Sequence, residues 1–139
     1  MRRLTLAPIV LAAACSAAPA GPNTQQNGND VIAIPYGEAI VVPGTILEVG
    51  FQALLADSRC ASDVVCIWEG EGRVELGLTM GDGPTVPVEL NTRGLRTATH
   101  GGYTITLVEL DPYPVSTRPL MPEDYVVRVR VRAGASQPD

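Results

Sequence analysis

Hydrophobic and polar residues alternate with a period of two along most of the chain between Val31 and Arg132. Such alternation is typical of strands that bury one face and expose the other. The pattern is clearest in four long runs, at residues 45–55, 73–80, 103–107 and 125–132. In the first run, the residues predicted to share the inward side are Thr45, Leu47, Val49, Phe51, Ala53 and Leu55. Three shorter candidates cover Val31–Pro35, Glu38–Val42 and Thr85–Leu90. No segment shows a sustained 3.6-residue repeat, although the loop Val115–Asp124 has room for one helical turn.

Turn-forming residues separate these runs. Pro43-Gly44 divides two of them, and Gly81-Asp82-Gly83-Pro84 is typical of a hairpin connection. Pro87 lies inside a strand candidate, and because proline has no N–H to donate, we expect that strand at a sheet edge. About seven strands in about 100 residues predict one all-β domain over residues 31–132, a single antiparallel β-sandwich of the immunoglobulin-like kind. A small closed β-barrel is the alternative.

The last run places a row of arginines, Arg128, Arg130 and Arg132, on the outward face of its strand. Glu48 and Glu75 are outward on other strands, so neighbouring strands would form cross-strand ion pairs. This pattern favours a solvated, paired face. The alternative is an arginine stripe that binds an anionic ligand such as a glycan carboxylate.

The amino terminus has the features of an export signal. Arg2 and Arg3 precede the apolar segment Leu4–Ala14, which is shorter than the ~20 residues of a membrane-spanning helix. The sequence Leu11-Ala12-Ala13-Ala14-Cys15 resembles the lipobox of bacterial lipoproteins. That resemblance implies a signal peptide at residues 1–14 and a lipid on Cys15 after cleavage.

The residues after Cys15 are predicted to form a flexible linker that ends at Asp30. Ser16–Asp30 contains no aromatic and no large aliphatic residue, so it cannot bury enough surface to fold. A flexible chain of this length has a root-mean-square reach of roughly 20 Å. Residues 133–139 are predicted to be a disordered tail.

Charge limits the partners that this chain can have. All 10 basic residues are Arg, against 15 Asp and Glu, in a chain of 139 residues that suits one domain. Nucleic acid is excluded as a partner because its phosphates need a basic face. Without Arg2 and Arg3, eight Arg against 15 acidic residues leave a net charge of −7. We therefore expect the lipid, rather than charge, to hold the exported chain at the cell envelope, at the outer membrane or a periplasmic face.

Cys60 and Cys66 are the two cysteines that lipidation leaves over, and in an exported protein they predict a disulfide. A loop this small contributes ~2 kcal/mol in the chain-entropy model. The spacing is not Cys-x-x-Cys, which argues against a redox-active pair. A metal set of both cysteines with His100 and a methionine, Met80 or Met121, is the weaker alternative, and no cofactor is expected.

A longer motif surrounds these cysteines. Asp57-Ser58-Arg59-Cys60, followed after five residues by Cys66-Ile67-Trp68-Glu69-Gly70, resembles a segment of small bacterial exported proteins and lipoproteins of unknown function. Their pattern is D-S-R-C-P-x-x-V-x-C-x-W-x-G, with later Gly-Tyr-x-Ile-x-Leu and Pro-x-Pro segments that match Gly102–Leu107 and Pro112–Pro114. The resemblance implies a β-rich exported domain and brings no activity with it.

Trp68 has two interpretations. It follows Cys66 by two residues, so both side chains face one side of an extended segment. The favoured interpretation is structural: the indole packs beside the disulfide and seals one end of the sandwich. The alternative is a recognition loop formed by Arg59, Trp68 and Glu69. Arg59 is expected to pair with Asp57 or Asp63.

Catalytic signatures do not occur in the sequence. There is no Gly-x-Ser-x-Gly elbow, no phosphate-binding glycine loop and no zinc pattern, and a single histidine, His100, excludes a three-histidine centre. The sequence therefore predicts a non-enzymatic binding or structural module with an envelope protein or a glycan as its partner. The alternative is a small hydrolase or metal-handling protein that uses His100.

Overall fold

The computed structural model describes residues 31–134. The predicted signal peptide (1–14), the lipidated Cys15, the linker (15–30) and residues 135–139 of the predicted tail lie outside the described residues. The eight strands are β1 (Val31–Pro35), β2 (Ala39–Val41), β3 (Leu47–Asp57), β4 (Gly72–Met80), β5 (Thr85–Asn91), β6 (Thr97–His100), β7 (Tyr103–Asp111) and β8 (Val126–Ala133). A 3-10 turn at Pro122–Asp124 precedes β8, in the loop where the sequence predicts room for one helical turn.

The strands form two antiparallel sheets of four strands each. The first sheet has the order β1-β8-β7-β6, and the second has the order β2-β3-β4-β5. Because the sheets do not close on one another, the β-sandwich prediction is confirmed and the barrel is not formed. Within residues 31–134, β1 and β8 are the one pair of neighbouring strands that do not follow each other in the chain. In an immunoglobulin constant-type sandwich, each of the two sheets contains a pair of this kind.

The core lies between the inner faces of the two sheets. The long runs that the alternation predicts supply most of it, and within residues 31–134 the core cluster contains no charged residue. The ring of Tyr36 meets Phe51 edge-on, with 5.3 Å between centroids. The buried hydrophobic residues are Ile34, Val42, Leu47, Val49, Phe51, Val74, Leu76, Leu78, Leu90, Ile105, Leu107, Leu110, Tyr125, Val127, Val129 and Val131.

The alternation breaks where β3 contains irregularities. Its register with β4 shifts between Phe51 and Ala53 and again between Leu54 and Ala56. An extra residue in one strand reverses which side chains face inward. Leu54 therefore packs against the core and Leu55 is exposed, so the prediction that Leu55 faces inward is wrong.

The pattern predicts the edge strand correctly, but it misses one short strand and the end of the last one. β5 is an edge strand and contains Pro87, as predicted. β6 is an eighth strand that the alternation does not predict, because its four residues are too few to establish a period. Ala133, predicted to begin the tail, is the last residue of β8.

Within residues 31–134, no helix is long and apolar enough to cross a bilayer.

Charges on the outer faces pair within each sheet. The Arg128 guanidinium contacts Asp111, and its Nε lies 4.0 Å from Glu109 on β7. Glu48 and Glu75 belong to the second sheet, whereas the arginine row is on β8 in the first. Cross-strand pairs form between neighbours in one sheet, so the condition for pairing that row with Glu48 and Glu75 is not met.

Candidate functional site: a disulfide-closed loop

The connection between β3 and β4, residues 58–71, lies at the end of the sandwich where β3 and β7 finish. We call this connection the cysteine loop and this end the loop end. A disulfide joins Cys60 to Cys66, with the two Cα atoms 5.9 Å apart, as predicted from the sequence. That separation is within the range typical of disulfides.

A buried ion pair forms the base of the cysteine loop. The side chains of Arg59 and Asp57 are 5% and 8% exposed. The Arg59 Nε donates to one Asp57 carboxylate oxygen at 2.8 Å, and Nη2 donates to the other at 2.8 Å. This two-point geometry is the strongest form of an arginine–carboxylate contact. The predicted pairing of Arg59 is thus realised with Asp57 rather than Asp63.

The same pair fastens the two sheets together. Arg59 Nη1 donates to the carbonyl of Leu110 at 2.6 Å, and Nη2 donates to the carbonyl of Pro112 at 3.0 Å. The Tyr125 hydroxyl donates to Asp57 at 2.8 Å. Asp57 ends β3 in the second sheet, whereas Leu110 lies on β7 in the first sheet and Tyr125 directly precedes β8. The base of the loop is therefore a hydrogen-bonded clamp across the end of the sandwich.

Protonation equilibria in the clamp favour its charged form. Burial raises the pKa of the Asp57 carboxyl, but hydrogen bonds from Arg59 and Tyr125 outweigh burial, so that the pKa lies below its usual value. Burial lowers the pKa of Arg59, but the Asp57 carboxylate raises it further than burial lowers it. Burial and the hydrogen bond to Asp57 raise the pKa of Tyr125 to about 12. At neutral pH the clamp thus holds an ion pair and a neutral phenol.

Two glycines permit the close packing of this base. A Cβ on Gly70 would collide with the backbone carbonyl of Ser58. A Cβ on Gly72 would lie 2.6 Å from the Leu110 side chain. Gly70 ends the motif that begins at Asp57. Gly72 lies outside that motif and carries no local signal in the sequence, because its constraint comes from Leu110 on β7.

The flanks of the cysteine loop are also held in place. The Asp63 carboxylate accepts hydrogen bonds from the backbone N–H and the hydroxyl of Ser116, at 2.8 and 2.5 Å, and these bonds lower the pKa of Asp63. The Ser62 N–H donates to the carbonyl of Pro114 at 2.9 Å. On the other flank, Arg93 donates to the backbone carbonyl of Glu69. The loop is thus attached to its neighbours on both sides.

The apolar tip of this loop, which we define as Val65, Ile67 and Trp68, projects into solvent. These residues are 102%, 94% and 84% exposed. The favoured prediction that Trp68 packs at the end of the sandwich is therefore wrong. The Arg59 clamp occupies the base of the loop, and the attachments at Ser62 and Asp63 hold the segment away from the core.

The structure separates the three residues proposed for a recognition loop. The Arg59 side chain is only 5% exposed and is engaged in the clamp, so the structure does not place it with the exposed part of the loop. Trp68 and Glu69 are exposed next to each other, and Arg93 lies 3.9 Å from the Glu69 carboxylate. Tyr113 stacks on the Arg59 guanidinium, 5.0 Å from the ring centroid, and lines an open groove beside Trp68. Only the outer part of the motif is available for contacts.

His100, the residue on which the alternative hydrolase or metal-handling function depends, lies far from the cysteine loop. His100 pairs with Tyr103 at the opposite end of the sandwich from Cys60 and Cys66, which are bonded to each other. The proposed metal set of these three residues is therefore not assembled. Within residues 31–134, no group of three or more His, Cys, Asp or Glu side chains is arranged to hold a metal ion.

Comparisons with protein-family models, with curated proteins and with solved structures found no match to this chain. The resemblances to bacterial lipoproteins and to small exported proteins with the D-S-R-C segment stay predictions. The geometry of the cysteine loop is thus the main support for a functional proposal.

Proposed function

We propose that this chain is an exported, lipid-anchored protein of the bacterial cell envelope, and that its cysteine loop is the contact element of a non-enzymatic binding module. The observation that carries the proposal is the exposure of Val65, Ile67 and Trp68 on one loop. Contiguous exposed apolar side chains mark interaction sites. The tip presents no nucleophile, acid or base, which suits binding rather than catalysis.

The distribution of exposed apolar residues supports a contact at this end. Seven of the twelve large hydrophobic residues exposed within residues 31–134 lie in connections at the loop end. They are Val64, Val65, Ile67, Trp68, Leu95, Tyr113 and Met121. An exposed apolar residue is unremarkable when it is isolated, but such a concentration at one end is a candidate interface.

The rigidity of the loop supports the same proposal. The Cys60–Cys66 disulfide closes the segment that contains Val65, and the Arg59–Asp57 ion pair fixes the base from which the loop projects, so both restrict the loop before any partner arrives. A loop that is already ordered loses less conformational freedom on binding, and this improves affinity without adding contacts.

The anchor is tested by metabolic labelling with palmitate. We expect the full-length chain to incorporate label and a Cys15→Ala chain to lose it, because the thioether-linked lipid and the acylated amino group both require Cys15. Label retained by the Cys15→Ala chain would contradict the anchor.

The loop contact is tested by hydroxyl-radical footprinting of the full chain. We expect Ile67 and Trp68 to be oxidised more slowly in native envelopes than in detergent-purified protein. Ile46 serves as the matched control, because it is 64% exposed and precedes β3 at the opposite end, and its oxidation should not change. Equal oxidation of Trp68 in both preparations would show that the loop is not the contact element.

A further inference from the structure

The shape of the tip limits what can cover it. Val65, Ile67 and Trp68 protrude, with almost their whole side chains exposed, and the attachments at Asp63 and Ser62 prevent the loop from folding down. A rigid protein partner would need a matching cavity for such a convex element. A lipid bilayer needs none, because it accepts an apolar protrusion of any outline.

The residue types match the layers of a bilayer surface. Tryptophan favours the headgroup level, where its ring contacts apolar chains and its N–H contacts polar groups. Aliphatic side chains of surface-bound segments reach ~5–10 Å into the boundary between headgroups and acyl chains. Val65 and Ile67 flank Cys66 in the chain, and Ile67 directly precedes Trp68, so the tip has the composition of a shallow membrane insertion.

The point at which the chain enters the domain is compatible with this orientation. Val31 pairs with Arg130, and Pro35 pairs with Val126 at the loop end. Val31 is therefore about 17 Å or less from the loop end, the length of a five-residue strand. Residues 16–30 span at most ~50 Å when fully extended. An anchor at Cys15 thus leaves enough chain for the tip to face the same bilayer.

Charge points to a neutral lipid surface. The mature chain carries a net charge of −7, eight Arg against 15 acidic residues. Beside the tip, the Glu69 carboxylate lies 3.9 Å from Arg93, so this pair adds little net charge of its own. Anionic headgroups would repel the chain as a whole, so apolar burial must drive insertion. Binding driven in this way is strongest on zwitterionic lipid and is nearly independent of salt.

We propose that Val65, Ile67 and Trp68 insert into the zwitterionic surface of the bilayer that holds the lipidated Cys15, so that the domain lies with its loop end on the membrane. This inference depends on the proposed function, since it names the occupant of the same loop. It makes the membrane a second contact of the folded domain, in addition to the acyl chains.

Trp68 is the only tryptophan of the chain, so its fluorescence reports on the tip alone. The full-length lipoprotein is reconstituted into protein-free phosphatidylcholine vesicles. We expect emission at shorter wavelength than in detergent-free Cys15→Ala protein, quenching by lipids brominated near the headgroup, and protection from acrylamide. Replacing part of the lipid with phosphatidylglycerol should reduce lipid quenching, whereas added salt should not.

Two variants provide the comparison. Val65→Ser together with Ile67→Ser should lower the ratio of inserted to free tips by about tenfold or more, because each replacement removes buried hydrocarbon. The matched control, Val41→Ser with Ile46→Ser, removes two exposed residues from the opposite end and should leave Trp68 quenching unchanged. Equal melting temperatures of both variants and wild type would show that the fold is retained.

The outcomes separate this inference from the proposed function. Trp68 that stays accessible to acrylamide and unquenched by brominated lipid in labelled, vesicle-bound lipoprotein would overturn the insertion. If Trp68 is then still protected in native envelopes, the occupant is a protein or glycan and only the insertion fails. Loss of the palmitate result would instead remove the anchor, and with it the proposed function.

Discussion

The base and the tip of the cysteine loop lie within about ten residues of sequence and have opposite environments. At the base, Arg59 and Asp57 are charged, buried and joined by two hydrogen bonds. At the tip, Ile67 and Trp68 are apolar and exposed. Residue type alone would predict the reverse, because charged residues are rarely buried unless they are paired. The comparison shows that the charged half of the motif holds the structure and the apolar half is free to make contacts.

The largest effect on stability is expected when the positive charge at the base of the cysteine loop is removed. Arg59→Met should lower the free energy of unfolding by about 3–5 kcal/mol, because it leaves the Asp57 carboxylate buried without its partner. Urea denaturation measures the loss. The matched control is Arg73→Met, which removes an exposed ion pair with Glu89 and should cost less than about 1 kcal/mol. Equal losses in the two variants would mean that the clamp does not stabilise the fold.

Removing the disulfide should have an intermediate effect. A chain with Cys60→Ser and Cys66→Ser should lose about 2 kcal/mol, the contribution of a small closed loop. Its base should persist, because the Arg59 contacts do not include the cysteines. Hydrogen exchange is therefore expected to increase most at the tip, whereas exchange at buried Val127 should rise only by the roughly 30-fold that a global loss of about 2 kcal/mol implies. Global loss of protection would show that base and tip unfold together.

A smaller effect is expected from the phenol of the clamp, and it depends on pH. The pKa of Tyr125 is raised from 10.0 to about 12, so the folded state holds this proton more tightly than the unfolded state does. Its stabilisation is complete below pH 10 and is lost as the pH rises through about 12. Tyr125→Phe should cost about 1.5 kcal/mol at pH 7, and the difference from wild type should shrink between pH 10 and 12. A constant difference over that range, measured by thermal unfolding, would contradict the Tyr125–Asp57 contact.

The smallest effect is expected at the tip. Trp68→Ala should change the free energy of unfolding by less than about 0.5 kcal/mol, as at other exposed positions. Leu76→Ala, at a fully buried position, should cost about 2–5 kcal/mol in the same experiment. A Trp68→Ala loss close to that of Leu76→Ala would mean that the indole is packed after all.

The alternation of the sequence predicts the sandwich because each inward residue of a regular strand meets the same core. The alternation fails where the backbone is irregular, as at Leu55 within the second register shift of β3. A bulge cannot be recognised from the order of hydrophobic and polar residues alone. Four-residue β6 is missed for lack of a repeat.

The candidate site is predictable only in its local part. Asp57 and Arg59 are two residues apart, so their pairing is accessible from sequence. Leu110, Pro112 and Tyr125 lie 51 to 68 residues from their partners, and only the packing of the sheets brings them to the clamp. The spacing of Trp68 from Cys66 predicts a shared side but not whether that side faces the core or solvent.

At one place in the first sheet, neighbouring strands are far apart in the chain, and this affects when that sheet can form during synthesis. β8 is the last strand within residues 31–134, yet it occupies an inner position between β1 and β7. β2 to β5 can pair one after another as they emerge from a ribosome or a translocation pore. β1, which pairs only with β8 within residues 31–134, must wait until the final strand has emerged. A chain that stops before Val126 therefore leaves β1 without a neighbour, so a finished first sheet is also a record that synthesis has passed β8.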